Sequence, residues 1–216
     1  MDVEISWYGR TCFRLGGQES IAVVTDPYSP GLGMTLTPVR ADVVTVSHHD
    51  ASCNHLDAVR GPFKLLDGPG EYEISGVFIT GVSTFADDKE GRERGLNTVF
   101  AFDFDGTTIC HLGQLGHVPT QSQVKNIGSV DVLLVPVGGG GSLSSTQASE
   151  VIGLFEPDVI VPMLYQVAGL EEELDSVDSF LKEMGVEDVD RQRTFQVSET
   201  GTSDETEIVL LETSAD

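Results

Sequence analysis

Basic residues are scarce in this chain. Lysine and arginine number 12 against 35 aspartates and glutamates, a formal charge of −23 at pH 7 over 216 residues. Only Lys64, Lys89, Lys125 and Lys182 are lysines. A surface of that sign repels phosphate backbones and anionic lipid, so neither nucleic acid nor a membrane is expected as a partner. Cysteine is also sparse. Cys12, Cys53 and Cys110 are odd in number and far apart, which speaks against a secreted disulfide framework and for a reducing compartment. No apolar run approaches the roughly 20 residues that cross a bilayer. Met1 to Ile5 offers neither a basic n-region nor an apolar h-region. The expectation is a soluble cytoplasmic protein whose charge serves solubility.

What is present is ordinary globular material. Hydrophobic residues make up 39% and charged residues 22%, which excludes a disordered tail, a collagen-like repeat and a coiled coil. The length suits one domain spanning residues 1–216, and no linker or composition break divides it. The first two-thirds reads as short strands between turns: Val3 to Trp7, Cys12 to Leu15, Ile21 to Thr25, Asp42 to Ser47, Val77 to Thr84, Thr98 to Phe104 and Thr107 to Leu112. Asp105-Gly106 between the last two marks a hairpin. The last third alternates. Capping-box spacing at Thr120 starts a short helix. Val130 to Val137 and Val159 to Pro162 read as strands, and Ser144 to Phe155 as a helix. Apolar spacing predicts a helix over Glu171 to Gly185 and an edge strand over Ile208 to Leu211. The Gly138 to Gly141 run lacks the Gly-Lys-Ser/Thr ending of a phosphate loop and reads as a mobile strand-to-helix turn. The sum is one α/β unit with two sheets.

Histidines mark the place to look for chemistry. His48, His49 and His55 follow the buried-type strand Asp42 to Ser47, with Asp50 and Cys53 among them. Imidazole, carboxylate and thiolate on a loop at a strand end is the composition of a zinc site. His111 and His117 flank Gly113 to Gly116 at the end of another strand. His55 is read as the start of a short helix reaching Arg60.

Seven segments in order carry a resemblance: Trp7 to Phe13, Thr25 to Pro27, Ala41 to His48, Gly68 to Ile74, Arg94 to Thr98, His111 to His117, and Val161 to Tyr165. Over about Ile5 to Tyr165 the chain resembles the metallo-β-lactamase superfamily, in particular its small bacterial branch of predicted zinc-dependent hydrolases related to ascorbate-6-phosphate lactonase. The resemblance implies a four-layer αββα sandwich with the active site at one edge of the two sheets.

Carried across residue by residue, the same resemblance implies a damaged site. The positions of the first metal motif, His-x-His-x-Asp-His, hold His48, Asp50, Ser52 and Cys53. The next histidine position falls on Ala86, the bridging aspartate on Gln114 and the last histidine on Leu164, so six of seven expected ligands differ. Ala86 and Leu164 carry no donor atom, and a neutral amide is a poor bridge between two cations. His48, Asp50 and Cys53 remain as a vestigial metal set, in a pocket expected to include Asp26, Ser52, Ala86, Gln114, His117, Leu164 and Tyr165. Asp26 is expected to fix the metal loop, His111 to pack beside the site, and His117 to line the pocket as a proton donor. Arg10 is a candidate for attracting an anionic ligand. A Cys53–His48 nucleophile pair is chemically conceivable but lacks an orienting third residue.

The leading expectation is therefore a hydrolase-like pseudoenzyme with no cofactor, acting through binding or assembly on an unidentified ligand, with a homo-oligomer compatible with the fold. The rival is a hydrolase of a lactone, ester or phosphoester using one zinc on His48, Asp50 and Cys53. A third is an interaction protein using its sheet edges or the Gly138 to Gly141 loop.

Overall fold

A computed structural model describes residues 3–17, 20–187, 189–197 and 206–214. The β-branched and apolar pieces of the first half form the strands β1 (Val3–Trp7), β2 (Phe13–Gly16), β3 (Val23–Thr25), β4 (Val43–Thr45) and β5 (Lys64–Leu66). The chain then crosses to a second sheet through β6 (Gly70–Ile74), β7 (Val77–Phe85), β8 (Leu96–Phe104), β9 (Thr107–His111), β10 (Val132–Pro136) and β11 (Val159–Met163). Near the C-terminus, β12 (Thr194–Val197) returns to the first sheet and β13 (Glu207–Ile208) joins the second. The orders are β12-β1-β2-β3-β4-β5 and β13-β11-β10-β9-β8-β7-β6. In each sheet, antiparallel meanders give way to parallel pairs: β3 with β4 and β4 with β5 in one, and β9 through β10 and β11 to β13 in the other. That change of direction gathers loops at one end, where the site forms.

Side-chain alternation explains the layers. Val23 and Val43 point into the core between the sheets with Ile5, Trp7, Phe13, Phe100 and Phe102, whereas their neighbours Val24 and Val44 point outward. The outward set meets Tyr28, Met34, Leu36, Val39, Ala58 and Val59, supplied by loops and 3₁₀ turns at Pro30–Leu32 and Leu56–Ala58. On the other side, α1 (Gln121–Ile127), α2 (Ser145–Phe155) and α3 (Val177–Glu183) add Ile127, Ala148, Val151, Phe180 and Leu181 to the main core. Each fully buried aliphatic or aromatic side chain contributes about 1.5–3 kcal/mol. Both expected N-termini carry full capping boxes, Thr120 with Gln123 and Ser144 with Gln147.

Three local expectations are corrected. The helix predicted over Glu171 to Gly185 exists only as Val177–Glu183. Three successive glutamates repel one another in a first turn, and Leu174 N–H is taken by Gln166 Oε1 at 3.0 Å, so the acidic run forms a loop instead. The helix predicted from His55 to Arg60 is a single 3₁₀ turn, Leu56–Ala58, after which Val59–Arg60 pairs with Val39–Arg40. The strand over Ile208 to Leu211 splits at Val209: Ile208 pairs with Ile160, while Leu210 and Leu211 pair with Arg191 and Gln192. No helix among the described residues is long and apolar enough to cross a membrane.

Candidate functional site

The site is assembled from strand ends. Asp26 follows β3 in the left-handed region at φ 44°, and Ser47 follows β4. Ser47 donates to the Asp26 carboxylate through its backbone N–H at 2.7 Å and its hydroxyl at 2.6 Å, tying the two loops together. Burial pushes the Asp26 carboxyl up, opposed by the His111 charge and the Ser47 bonds. His111 is wholly buried and donates from Nε2 to Thr11 O at 2.9 Å; burial holds its pKa below the usual histidine range. Asp26 thus acts as the loop-fixing acceptor, and His111 packs beneath the site.

Asn97, at the start of β8, is a second clamp. Its amide donates to Thr84 Oγ1 at 2.8 Å and to Leu112 O at 3.0 Å, and its carbonyl accepts from Gln114 N–H at 2.9 Å. Gly113 makes the turn at φ 62°, where a Cβ would collide with Ser47 and Asn97. These contacts fix Gln114, which is 1% exposed.

Gln114 then bridges the cleft. Its amide nitrogen donates to Ser52 Oγ and to Cys53 Sγ (3.1 Å), and its oxygen accepts from Arg94 Nη2 at 3.0 Å. Ser52 N–H and Oγ–H both donate to Asp50 Oδ1. The other Asp50 oxygen lies 3.3 Å from His48 Nε2, and His48 Nδ1 donates to Leu96 O at 2.8 Å. Burial would raise the Asp50 carboxyl, but its bonds from His48 and Ser52 outweigh that and hold it well below the usual carboxylate range. The bond to Asp50 correspondingly raises His48. Burial, with Asp26 nearby, pushes the Cys53 thiol well up, so it is a protonated hydrogen-bonding group and not a nucleophile. The Cys53–His48 pair, disfavoured from sequence for want of a third residue, is not formed: His48 engages Asp50 and Leu96, while Cys53 engages Asp50, Ser52 and Gln114.

Two arginines face the same space. Arg10 sits on the turn after β1 at φ 53°, where its carbonyl accepts from Trp7 Nε1 (3.0 Å) and Leu164 N–H (3.2 Å). It is 3% exposed, pairs through Nη1 with Glu172, and leaves Nε without a partner. Arg94 is delivered by the loop after β7. The Asp87 carboxylate accepts from the backbone N–H groups of Lys89, Gly91, Glu93 and Arg94 at 2.6–3.0 Å. The Arg94 guanidinium also donates to Gly140 O at 3.4 Å, in space that a Cβ on Gly141 would fill. The Gly138 to Gly141 turn, predicted as mobile, is pinned: Gly139 exchanges bonds with Ser142 and Leu143, and Gly138 O accepts from Asp175. The resulting cleft, about 310 Å³, is walled by Arg10, Asp50, Ser52, Arg94, Gln114 and Glu172, with Gly31, Leu32 and Glu171 at its rim.

Several residues expected in the pocket lie elsewhere. Ala86 and Leu164 are buried at 0% and 3% exposure behind the cleft, and Asp26 lies under it. Leu164 keeps a left-handed backbone, φ 51°, with no functional group at its tip. Tyr165 is buried against Trp7, its hydroxyl accepting from Arg191. His117 belongs to a separate surface depression with Phe85 and Asp87, where its Nε2 accepts from Phe85 N–H at 3.2 Å. His49 contacts Asp67 O. Arg94, Asn97, Glu171 and Glu172 were not singled out as site residues by sequence. The available signal for Arg94 was its place between Gly91 and Gly95, glycines that let a loop fold back on itself.

The residues present do not fit a pair of metal ions. Two family positions carry no donor, the amide at the bridging position is committed to Ser52, Cys53 and Arg94, and two guanidiniums repel a cation from the same cleft. The set His48, Asp50 and Cys53 does not converge either. Among the described residues, no three His, Cys, Asp or Glu side chains form a group able to hold a metal ion. The cause is local: Asp50 turns one oxygen to Ser52 and the other to His48, while Cys53 points inward to Gln114.

Comparison with known proteins gives the wider setting. The family model for the β-lactamase superfamily domain matches residues 4–164. A UPF0173 protein of Pyrococcus furiosus is 36% identical over 205 residues, covering 84% of this chain and 90% of that relative. A UPF0173 metal-dependent hydrolase of Pyrococcus abyssi is 31% identical over 192 residues, covering 76% and 84%. Among solved structures, one from Thermotoga maritima, described as a candidate zinc-dependent hydrolase of the metallo-β-lactamase superfamily, is 39% identical, with a TM-score of 0.79 and coverage of 97% and 100%. A metallo hydrolase from Ignicoccus hospitalis, 17% identical with a TM-score of 0.68 over 93% and 100%, shares the fold.

Proposed function

Since the chain belongs to the metallo-β-lactamase superfamily, with its αββα sandwich, we propose that it uses the hydrolase scaffold as a metal-independent binding protein. The relatives named metal-dependent hydrolases set the reaction from which it departs. The single observation that carries this reading is Gln114, a neutral amide at the bridging position, hydrogen bonded to Ser52, Cys53 and Arg94. Amide, hydroxyl and guanidinium groups lower the pKa of a bound water far less than a divalent ion does, so the side chains that line the cleft do not by themselves activate water at pH 7. The cleft supplies donors, shape and charge, which suit recognition.

One contact favours the single-zinc rival: His48 and Asp50, two positions apart on one loop, lie 3.3 Å from each other. Elemental analysis separates the readings. The protein is expressed with added zinc and manganese, purified without chelator, and assayed for hydrolysis of ester and phosphoester substrates with either metal added. Binding without metal predicts well under one transition metal per chain and no turnover above buffer. One zinc per chain with chelator-sensitive turnover establishes the rival, and two metals per chain overturn the proposal.

A further inference from the structure

We infer that the cleft between Arg10 and Arg94 is a binding site for a small organic carboxylate, and that Glu172 is an internal carboxylate which the ligand displaces. The inference rests on the metal-independent reading of the cleft and adds the class of ligand.

Three observations carry it. First, two of the few basic residues in a chain of net charge −23 converge on one cleft, and one of them is 3% exposed. Burying a guanidinium is costly unless an anion accompanies it, and Arg10 still has an unpartnered Nε. Second, the anion that accompanies it now is a carboxylate. Glu172 comes from a loop remote in sequence, is partly exposed, and binds Arg10 through one oxygen. Third, the loop carrying Glu172 is fastened on either side of it: Glu171 N–H donates to Leu32 O (3.2 Å), Leu174 N–H to Gln166 Oε1 (3.0 Å) and Asp175 N–H to Gly138 O (2.9 Å). The Glu172 side chain can therefore swing out while its backbone stays in place.

Charge selects the class. With Glu172 swung away, Arg10 and Arg94 face Asp50 and Glu171, which leaves the wall close to neutral. A monocarboxylate replaces the charge Glu172 removes, whereas a phosphate dianion adds a further negative charge beside Asp50. Arg10 offers the guanidinium fork that a carboxylate accepts in parallel, and Arg94 lines the same cleft with the guanidinium hydrogens left over from its bonds to Gln114 and Gly140. The volume, about 310 Å³, suits a small molecule and not a peptide.

The test follows the Nε–H resonances of Arg10 and Arg94 by NMR while acetate, lactate, succinate and inorganic phosphate are titrated separately. Each titration is repeated after treatment with phenanthroline, used because EDTA is itself a polycarboxylate. At least one carboxylate is expected to shift both resonances saturably, and phosphate to bind more weakly. Glu172→Gln should tighten carboxylate binding roughly fivefold by removing the internal competitor. Arg10→Gln and Arg94→Gln should each abolish the shift of the remaining arginine, with unchanged circular dichroism confirming the fold. Absence of saturable carboxylate binding in both the natural chain and Glu172→Gln overturns the inference, as does tighter binding of phosphate. Binding that disappears with phenanthroline shows instead that a metal holds the ligand, which refutes the metal-independent reading itself.

Discussion

At the scale of single residues, Gln114 has the most to lose. Gln114→Ala deletes a buried amide and strands Ser52, Cys53 and Arg94 without their shared partner. The expected cost is about 2 kcal/mol, read as a lower denaturation midpoint at unchanged m-value. No loss would mean that the bridge contributes nothing to the fold. His48 and His111 give a second test, in pH. The hydrogen bond to Asp50 chiefly raises His48 above the ordinary value of about 6.5. Its folded pKa exceeds the unfolded one, so its contribution to stability is complete below about pH 6.5 and fades as pH rises through the folded value. His111 has the opposite sign. Burial lowers it, so the fold is penalised as pH falls from about 6.5 toward the folded value. NMR titration of the imidazole Cε1–H signals should place His48 above 6.5 and His111 below it, with Asp50→Asn bringing His48 down. A His48 midpoint below 6.5 in the natural chain would contradict the pairing. Sequence displayed these histidines, but not which nitrogen met which partner, because those bonds join residues as distant as Thr11 and His111.

At the scale of elements, the loop from Ala86 to Gly95 is folded around one carboxylate. Burial acts to raise Asp87, but four backbone N–H donors prevail and lower it to about 2. Its contribution is present above the ordinary aspartate range near 4 and is lost as pH falls toward 2. Asp87→Ala should speed hydrogen exchange at Gly91 and Arg94 and break the Arg94–Gln114 bond, leaving exchange in β10 unchanged. Slow exchange in the variant would show that the loop holds itself. Gly141→Ala attacks the same arginine from the other side. It puts a Cβ into the Arg94 guanidinium at a φ of 97°, for an expected cost of about 1–2 kcal/mol in a thermal melt together with a shifted Arg94 Nε–H signal.

Elements with strong local chemistry were legible in sequence. The Asp105-Gly106 hairpin, the capping box at Thr120, the helix from Ser144 and the buried runs at β4, β10 and β11 appear where turn residues and apolar periodicity put them. The strands β5 and β6 were not legible: Lys64–Leu66 is three residues long without alternation, and Gly70–Ile74, although it alternates, is short, and both lie at sheet edges. The acidic loop before α3 was misread as helix because Leu174 extends the apolar spacing of α3, while the Gln166 side chain that holds it lies eight positions back.

At the scale of the whole molecule, the charge of −23 is a self-repulsion that salt relieves. The screening length shortens from about 10 Å at 0.1 M to about 3 Å at 1 M. Potassium chloride over that range should raise Tm by about 2–4 °C, equivalent to about 1 kcal/mol for a chain of this length. A falling Tm would show that attractive pairs outweigh the repulsion. The scaffold was legible because a sandwich depends on many apolar positions, each tolerant of its neighbours' identity. The cleft was only half legible. The missing donors at Ala86 and Leu164 can be read one position at a time, whereas the two arginines that converge there are 84 positions apart and meet only in the folded chain.

The central claim is that hydrogen bonds and guanidiniums have taken the space of a metal pair. Crystals grown in excess zinc and measured on either side of the zinc absorption edge test it most directly. No anomalous peak is predicted in the space bounded by Asp50, Ser52, Arg94 and Gln114, with the Gln114 amide still bridging Arg94 and Cys53. Two peaks there, with Gln114 turned away, would contradict it.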